Sequence, residues 1–164
     1  MGLEGLNRDL ADLLLLLDEH GADFVVIGGW ALAVHGHLRG TDDLDIFVRA
    51  TPANGDRIYA ALVAFGAPVR AHEVGADLFS SPGYGYRFGI KPQLAEILTS
   101  IDGTDFDAVA RDAITVHLEG RSIRVASKRA LLRTKRAAGR PKDLADVAWL
   151  EAHADDEDIG QGQP

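Results

Sequence analysis

Two glycines followed by two closely spaced aspartates could do chemistry together. A hydrophobic run ends at Gly28 and Gly29, and Asp43 and Asp45 follow after a gap of thirteen residues. In an extended segment residues i and i+2 point to the same face, so both carboxylates would project together from the start of a strand. Paired carboxylates repel each other unless a cation lies between them, and their hard oxygens suit Mg²⁺ together with substrate phosphates. Glycine lets the backbone approach a phosphate closely.

The elements that must position these residues follow from hydrophobic periodicity and end signals. Helices are predicted at residues 7–21, 30–35, 52–65, 105–110, 127–138 and 140–153. Strands are predicted at residues 24–27, 44–48, 69–74, 86–90, 94–101, 114–118 and 123–125. This order favours an α/β (α+β) fold with a mixed sheet and flanking helices, in which the first two strands lie side by side. We expect one domain at residues 1–154 and a disordered acidic and polar tail at residues 155–164.

Composition excludes several classes of site. The 164-residue sequence has 46% hydrophobic and 26% charged residues, as ordinary globular proteins do. It has no cysteine, which excludes disulfides, thiolate zinc sites and cysteine nucleophiles. The leucine run at residues 13–17 is too short, and too closely flanked by acids, for a signal or membrane segment. The expected location is the cytoplasm.

Charge is unevenly distributed along the chain. The net charge of −8 includes five acids and no base at residues 151–164, so the rest of the chain carries −3. Residues 121–142 hold nine of the seventeen basic residues and no acid. Such a cluster could bind polyphosphate or nucleic acid, or could form a solvated helix face, and the sequence leaves both open.

Two stretches resemble a known superfamily. Ile27-Gly28-Gly29 and Asp43-Leu44-Asp45-Ile46 resemble the signature of the nucleotidyltransferase superfamily, with its DNA polymerase β fold: a hydrophobic residue with Gly-Gly or Gly-Ser, then Asp-x-Asp or Asp-x-Glu in an apolar strand. Residues 131–146 resemble the end of small bacterial nucleotidyltransferase-like proteins related to AbiEii-type abortive-infection and toxin–antitoxin families. The resemblance covers nearly the whole chain, loosely between residues 50 and 90.

The resemblance implies a metal site with three carboxylates. Asp43 and Asp45 would bind two Mg²⁺ ions that bridge to the triphosphate of an NTP. A third carboxylate would bind metal and help to deprotonate the acceptor hydroxyl. Glu96 lies in a convincing apolar strand and is preferred, and Asp77 in a less regular segment is the alternative.

The resemblance also implies a phosphate-binding set. Gly28 and Gly29 would hold phosphates through backbone N–H groups. Arg39 and Thr41 precede the aspartates and would touch phosphate or orient the acids. Lys135, from the basic cluster, would neutralise the triphosphate.

The leading hypothesis is therefore a Mg²⁺-dependent nucleotidyltransferase that moves NMP from an NTP to a hydroxyl of a small molecule, a protein or an RNA end. A second hypothesis is a non-catalytic nucleotide-binding antitoxin or partner module that acts with a protein from a neighbouring gene. A third is a metal-dependent phosphohydrolase that uses the same acids.

Overall fold

The computed structural model describes residues 2–41, 43–90 and 93–154, which contain six strands and six α-helices. The strands are β1 (Phe24–Ile27), β2 (Asp43–Val48), β3 (Gly85–Phe88), β4 (Leu94–Leu98), β5 (Ile114–Leu118) and β6 (Arg121–Val125). The helices are α1 (Arg8–Glu19), α2 (Gly28–Val34), α3 (Pro52–Phe65), α4 (Phe106–Asp112), α5 (Lys128–Ala138) and α6 (Leu144–Ala152). Short 3₁₀ helices lie at Ala76–Phe79 and Pro141–Asp143. The tail predicted at residues 155–164 lies outside the described residues.

The strands form one mixed sheet in the order β3-β4-β2-β1-β6-β5. β2 runs parallel to β4 and β1 runs parallel to β6, while β1–β2, β3–β4 and β5–β6 are antiparallel pairs. Because β1 and β2 are antiparallel neighbours, the end of β1 and the start of β2 meet at the same edge. The predicted α/β mixed sheet, with these two strands side by side, is confirmed.

Local sequence signals explain several of the helix ends. Asn7, Thr51 and Ser127 each accept a hydrogen bond from a backbone N–H in the first turn of α1, α3 and α5. Gly66 and Gly139 end α3 and α5 in the left-handed conformation. Within the described ranges, no helix combines the length and the apolar character needed to cross a membrane.

Several predicted elements differ from the structure in kind or in extent. Residues 69–74 form turns rather than a strand, because Val74 N–H donates to the carbonyl of Val69 and satisfies that backbone locally. β4 ends at Leu98 instead of residue 101. α2 begins at Gly28 rather than at Trp30, so both glycines belong to its first turn.

A buried asparagine joins the loops at the far end of β1 and β2. Asn54 is 2% exposed, and its Oδ1 accepts the N–H of Asp23 at 2.7 Å. Its Nδ2 donates to the carbonyls of Asp23 and Arg49, at 3.0 and 2.8 Å. One side chain thus links the residue before β1 to the residue after β2 and satisfies three backbone groups there.

Candidate active site

Polar side chains form a row across three neighbouring strands, β2, β4 and β3. Asp45 on β2 is paired in register with Ile27 on β1 and with Glu96 on β4, and Glu96 is paired with Arg87 on β3. Residues in register share a face of the sheet, and Asp43 lies on that face too because it is two residues before Asp45. The sheet register therefore brings three carboxylates and one guanidinium together.

The row forms the floor of an open cleft of about 740 Å³. The cleft is bounded by the end of β1, the segment at residues 39–41, the segment after β4, and α5 with the start of α6. All eight residues predicted from the sequence line it: Gly28, Gly29, Arg39, Thr41, Asp43, Asp45, Glu96 and Lys135.

The two glycines lie against this floor with no room for a side chain. Gly28 has a φ of +70°, and a Cβ there would collide with the carboxylate of Asp45. A Cβ on Gly29 would lie 2.7 Å from Oγ1 of Thr41. The hydroxyl of Thr41 in turn donates a hydrogen bond to the carbonyl of Asp43 at 3.1 Å, which holds the backbone at the start of β2. Glycine at both positions is thus required for the aspartates to lie where they do.

The carboxylates are incompletely balanced by positive charge. Burial, with further contributions from Glu96 and Asp43, raises the pKa of Asp45 to about 6, although Arg87 and Lys135 oppose this. Oδ1 of Asp43 is buried and has no hydrogen-bond partner within the described part of the chain. A buried carboxylate oxygen without a partner is costly, so this cluster favours an additional cation.

The alternative third carboxylate lies elsewhere. Asp77 is exposed on the 3₁₀ helix Ala76–Phe79 and does not line the cleft. Glu96 lies beside Asp45 on the parallel strand pair, and its side chain is 27% exposed. The geometry thus favours Glu96 as the partner of the two aspartates.

Two predicted phosphate ligands are held in ion pairs with buried acids. Nζ of Lys135 lies 3.1 Å from Asp143 and 2.9 Å from Asp146. Arg39 makes a bidentate pair with Asp146, with Nε–Oδ1 at 2.9 Å and Nη2–Oδ2 at 3.1 Å. Arg140 pairs with Asp143 at 2.8 Å. Lys135 and Arg39 therefore join α5 and the segment before β2 to the start of α6.

The cationic partners favour the charged form of both buried acids in this network. Burial alone would raise the pKa of Asp143 and of Asp146, but hydrogen bonds from Lys135 and from the arginines outweigh burial and lower both pKa values. Their side chains are only 3% and 4% exposed. Charged acids at this depth depend on their cationic partners.

Arg87 is the site residue that sequence reasoning missed. Its Nη2 lies 3.2 Å from Oδ2 of Asp43 and 3.4 Å from Oε2 of Glu96. The only signal for it was an arginine within an alternating strand, Gly85–Phe88, and the pairing of that strand with β4 was not visible in the sequence.

The basic cluster at residues 121–142 does not form a free basic face. Among the described residues, at least six of its nine basic residues pair with carboxylates at 4 Å or less: Arg121, Arg124, Arg129, Lys135, Arg136 and Arg140. These partners neutralise most of the charge that the sequence placed in one run, which weakens the case for nucleic-acid binding.

Comparison with solved structures identifies the architecture. The solution structure of the antibiotic-resistance factor ANT(2'')-Ia matches with a TM-score of 0.61 and 16% identity, covering 93% of this chain and 85% of that chain. The crystal structure of ANT(2'')-Ia in complex with adenylyl-2''-tobramycin matches with a TM-score of 0.58 and 15% identity, covering 92% and 90%. The chain has a nucleotidyltransferase fold.

Other comparisons add no further assignment. An antigenic nucleotidyltransferase-like protein from Paracoccidioides brasiliensis matches with a TM-score of 0.49 and 18% identity, covering 87% of this chain and 74% of that chain. No protein-family model matches the chain, and no curated protein matches it.

The acids of this nucleotidyltransferase fold have the donor chemistry for a divalent cation. As they stand, no three His, Asp or Glu side chains among the described residues converge tightly enough to form a metal-binding group. The unpartnered Oδ1 of Asp43 and the raised pKa of Asp45 nevertheless indicate that positive charge is lacking there. The carboxylate oxygens of Asp43, Asp45 and Glu96 are of the type that a hard cation such as Mg²⁺ prefers.

Proposed function

We propose that the protein is a Mg²⁺-dependent nucleotidyltransferase that moves a nucleoside monophosphate from an NTP to a hydroxyl group. The observation that carries this proposal is the meeting of Asp43, Asp45 and Glu96 beside the Gly28-Gly29 turn in one cleft. The likeness of the fold to ANT(2'')-Ia supports it.

The three carboxylates would hold the metal, and Glu96 would also act on the acceptor. A bound divalent cation supplies charge stabilisation to the attacking and leaving oxygens of an in-line displacement. The acceptor oxygen bonds to the α-phosphorus while the bond to the leaving pyrophosphate breaks. Glu96 accepts the proton of the acceptor hydroxyl, for which its half-open position in the cleft is suited.

The remaining predicted residues would bind and orient the donor. Gly28 and Gly29 lie in the first turn of α2 beside the cleft, where their backbone N–H groups would hold phosphate oxygens. Thr41 orients the start of β2 through its bond to Asp43. Lys135 and Arg39 contribute positive potential from within their ion pairs, and the charge of Lys135 partly opposes the rise in the pKa of Asp45.

A hydroxyl of a small molecule is the preferred acceptor class. The crystal structure of ANT(2'')-Ia contains an adenylylated small molecule, adenylyl-2''-tobramycin. A cleft of about 740 Å³ has the size of a small-molecule site. An RNA end or a protein side chain would require a larger complementary surface, and the paired basic residues described above offer little free positive charge for RNA.

A titration with nucleotides tests this proposal. Purified protein is titrated with ATP, CTP, GTP and UTP, with and without Mg²⁺, beside the double variant Asp43→Ala/Asp45→Ala. Asp77→Ala is the matched control, since it removes an exposed acid outside the cleft. We expect Mg²⁺-dependent binding that the double variant loses and the control keeps. An absence of binding by the wild type at millimolar NTP and Mg²⁺ contradicts a stand-alone enzyme.

A second candidate is a non-catalytic nucleotide-binding partner or antitoxin module, as the AbiEii-like segment at residues 131–146 suggests. The observation in its favour is that Lys135 and Arg39 are occupied by Asp143 and Asp146 instead of being free for a triphosphate. Nucleotide binding without any product, together with a stable complex with the product of a neighbouring gene, would support it. Free NMP without a nucleotidylated acceptor would instead indicate a phosphohydrolase.

A further inference from the structure

The guanidinium of Arg87 lies within the carboxylate cluster. One nitrogen, Nη2, reaches both Oδ2 of Asp43 and Oε2 of Glu96, at 3.2 and 3.4 Å. These two acids flank Asp45 on the floor of the cleft. Arg87 thus bridges the outer acids, while Oδ1 of Asp43 stays without a partner among the described residues.

We propose that Arg87 is a built-in counter-ion that exchanges with the divalent cation at Asp43 and Glu96. The proposal rests on the proposed function, because it concerns the same three carboxylates. A guanidinium and a metal ion cannot both use the same carboxylate oxygens at close range, and two cations placed there repel each other. The metal therefore binds only as Arg87 withdraws.

The position of Arg87 allows this withdrawal. β3 is the last strand of the described sheet on its side, so Arg87 extends from an edge. Its side chain is 56% exposed, whereas those of Asp43 and Glu96 are each 27% exposed. The neighbouring residues Tyr86 and Phe88 are buried on the opposite face and anchor the strand. The arginine can therefore leave the acids for solvent while the strand stays in place.

Arg87 also explains how the acids remain together without metal. Three carboxylates on adjacent positions would repel one another and weaken the pairing of β2 with β4. A bridging arginine offsets part of this repulsion, at the cost of competing with the metal. Arg87 is accordingly a positioning residue. Its removal should lower the stability of the metal-free protein and raise the affinity for metal.

The test measures metal binding directly, without nucleotide or turnover. Mn²⁺ binding to wild type, Arg87→Gln and Arg136→Gln is followed by calorimetry and by the paramagnetic signal of free Mn²⁺. Arg136 is the matched control: its side chain is also 56% exposed and pairs with one carboxylate, but it does not line the cleft. Thermal unfolding in chelator and in excess Mn²⁺ provides the second readout.

We expect Arg87→Gln to bind Mn²⁺ about threefold to tenfold more tightly than wild type, because a nearby positive charge is removed. Its melting temperature should fall in chelator and rise more on adding Mn²⁺ than that of wild type. Arg136→Gln should change neither quantity. Arg87→Lys, which keeps the charge but loses the planar donor group, should lie between wild type and Arg87→Gln.

The outcomes separate this inference from the proposed function. Equal or weaker Mn²⁺ binding by Arg87→Gln, when the wild type binds Mn²⁺, overturns the exchange and leaves the proposed function standing. Binding by Arg87→Gln but not by wild type supports the exchange strongly. Failure of both to bind millimolar Mn²⁺ overturns the inference and the metal-dependent function together. If Arg87→Gln does not fold, the intermediate affinity of Arg87→Lys decides.

Discussion

Asp45 and Glu96 face each other in register on the parallel strands β2 and β4, and this pairing joins two partly buried acids that have no sequence proximity. Burial and the charge of Glu96 together raise the pKa of Asp45 to about 6. The cost of ionising Asp45 is the electrostatic reason why the cleft attracts cations, and it makes the site sensitive to pH near neutrality.

Metal affinity should therefore rise with pH between about 5 and 7, because the proton on Asp45 competes with the metal. Calorimetry of Mn²⁺ binding at pH 5.5 in buffers of different ionisation enthalpy should show proton release, and the release should disappear at pH 7.5. Asp45→Asn should abolish this dependence. An affinity that does not change with pH would contradict the raised pKa.

The stability of the metal-free protein should change in the opposite direction. The pKa of Asp45 is higher in the folded chain than in the unfolded chain, so the folded state binds more protons between about pH 4 and 6. Stability from this group falls as pH rises through that window. Asp45→Asn should consequently stabilise the metal-free protein at pH 7.5 by about 1–2 kcal/mol, measured by urea unfolding in chelator, and should have little effect at pH 4.

Gly28→Ala should separate steric conflict at the site from ordinary backbone strain. The new methyl group would meet the carboxylate of Asp45, and Gly28 has a φ of +70°. Gly21 has the same φ of +70°, but no atom lies within 4 Å of the place that a Cβ would take, so Gly21→Ala is the matched control. We expect the control to lose about 1 kcal/mol from the unfavourable φ alone. Gly28→Ala should lose more stability than the control and should also weaken Mn²⁺ binding. Equal losses of stability and of Mn²⁺ affinity in the two variants would contradict the collision.

Lys135→Met should destabilise the fold much more than Arg136→Met, although the two residues are neighbours on α5. Lys135 lies between Asp143 and Asp146, which are buried, and its loss leaves two charged acids less well paired. A cost of about 3 kcal/mol is expected from such a buried ion pair. Arg136 pairs with Glu151 in solvent, where the cost is about 1 kcal/mol or less. Chemical unfolding of both variants is the measurement, and similar losses would contradict the difference.

Glu96→Gln should reduce nucleotidyl transfer by about 10²- to 10⁴-fold, the range for loss of a general base. The KM for NTP should change little if Glu96 acts mainly on the acceptor. Asp77→Asn should retain full turnover, because Asp77 lies outside the cleft. Loss of activity in Asp77→Asn with retention in Glu96→Gln would reverse the choice of the third carboxylate.

Local patterns in the sequence predicted those parts of the site that lie close together along the chain. The apolar run before Gly28 and the alternation around Asp45 define β1 and β2, and strands that follow each other along the chain usually lie side by side. The third carboxylate came from the family resemblance, and Glu96 was preferred to Asp77 because it lies between apolar residues in the more regular strand.

Contacts that depend on how the elements fold onto one another were not predicted. Arg87 reaches Asp43 only because β3 folds back onto β4, and no local pattern specifies that register. Lys135 was assigned to a triphosphate from its charge, whereas the turn between α5 and α6 returns Asp143 and Asp146 to it. Charge alone does not reveal which acids the fold will bring to a base.

The geometry of the carboxylate cluster depends on a contact that Asn54 makes at the opposite end of the sheet. It ties the loops beyond β1 and β2 at a point where neither strand carries a site residue. Side chains alternate with a period of two, so a slip of one residue in β2 would turn both aspartates to the other face. A screen for lost activity should thus find Asn54 alongside the acids themselves, although it touches neither donor nor acceptor. The direction in which the two aspartates point therefore depends on the strand register that Asn54 helps to hold.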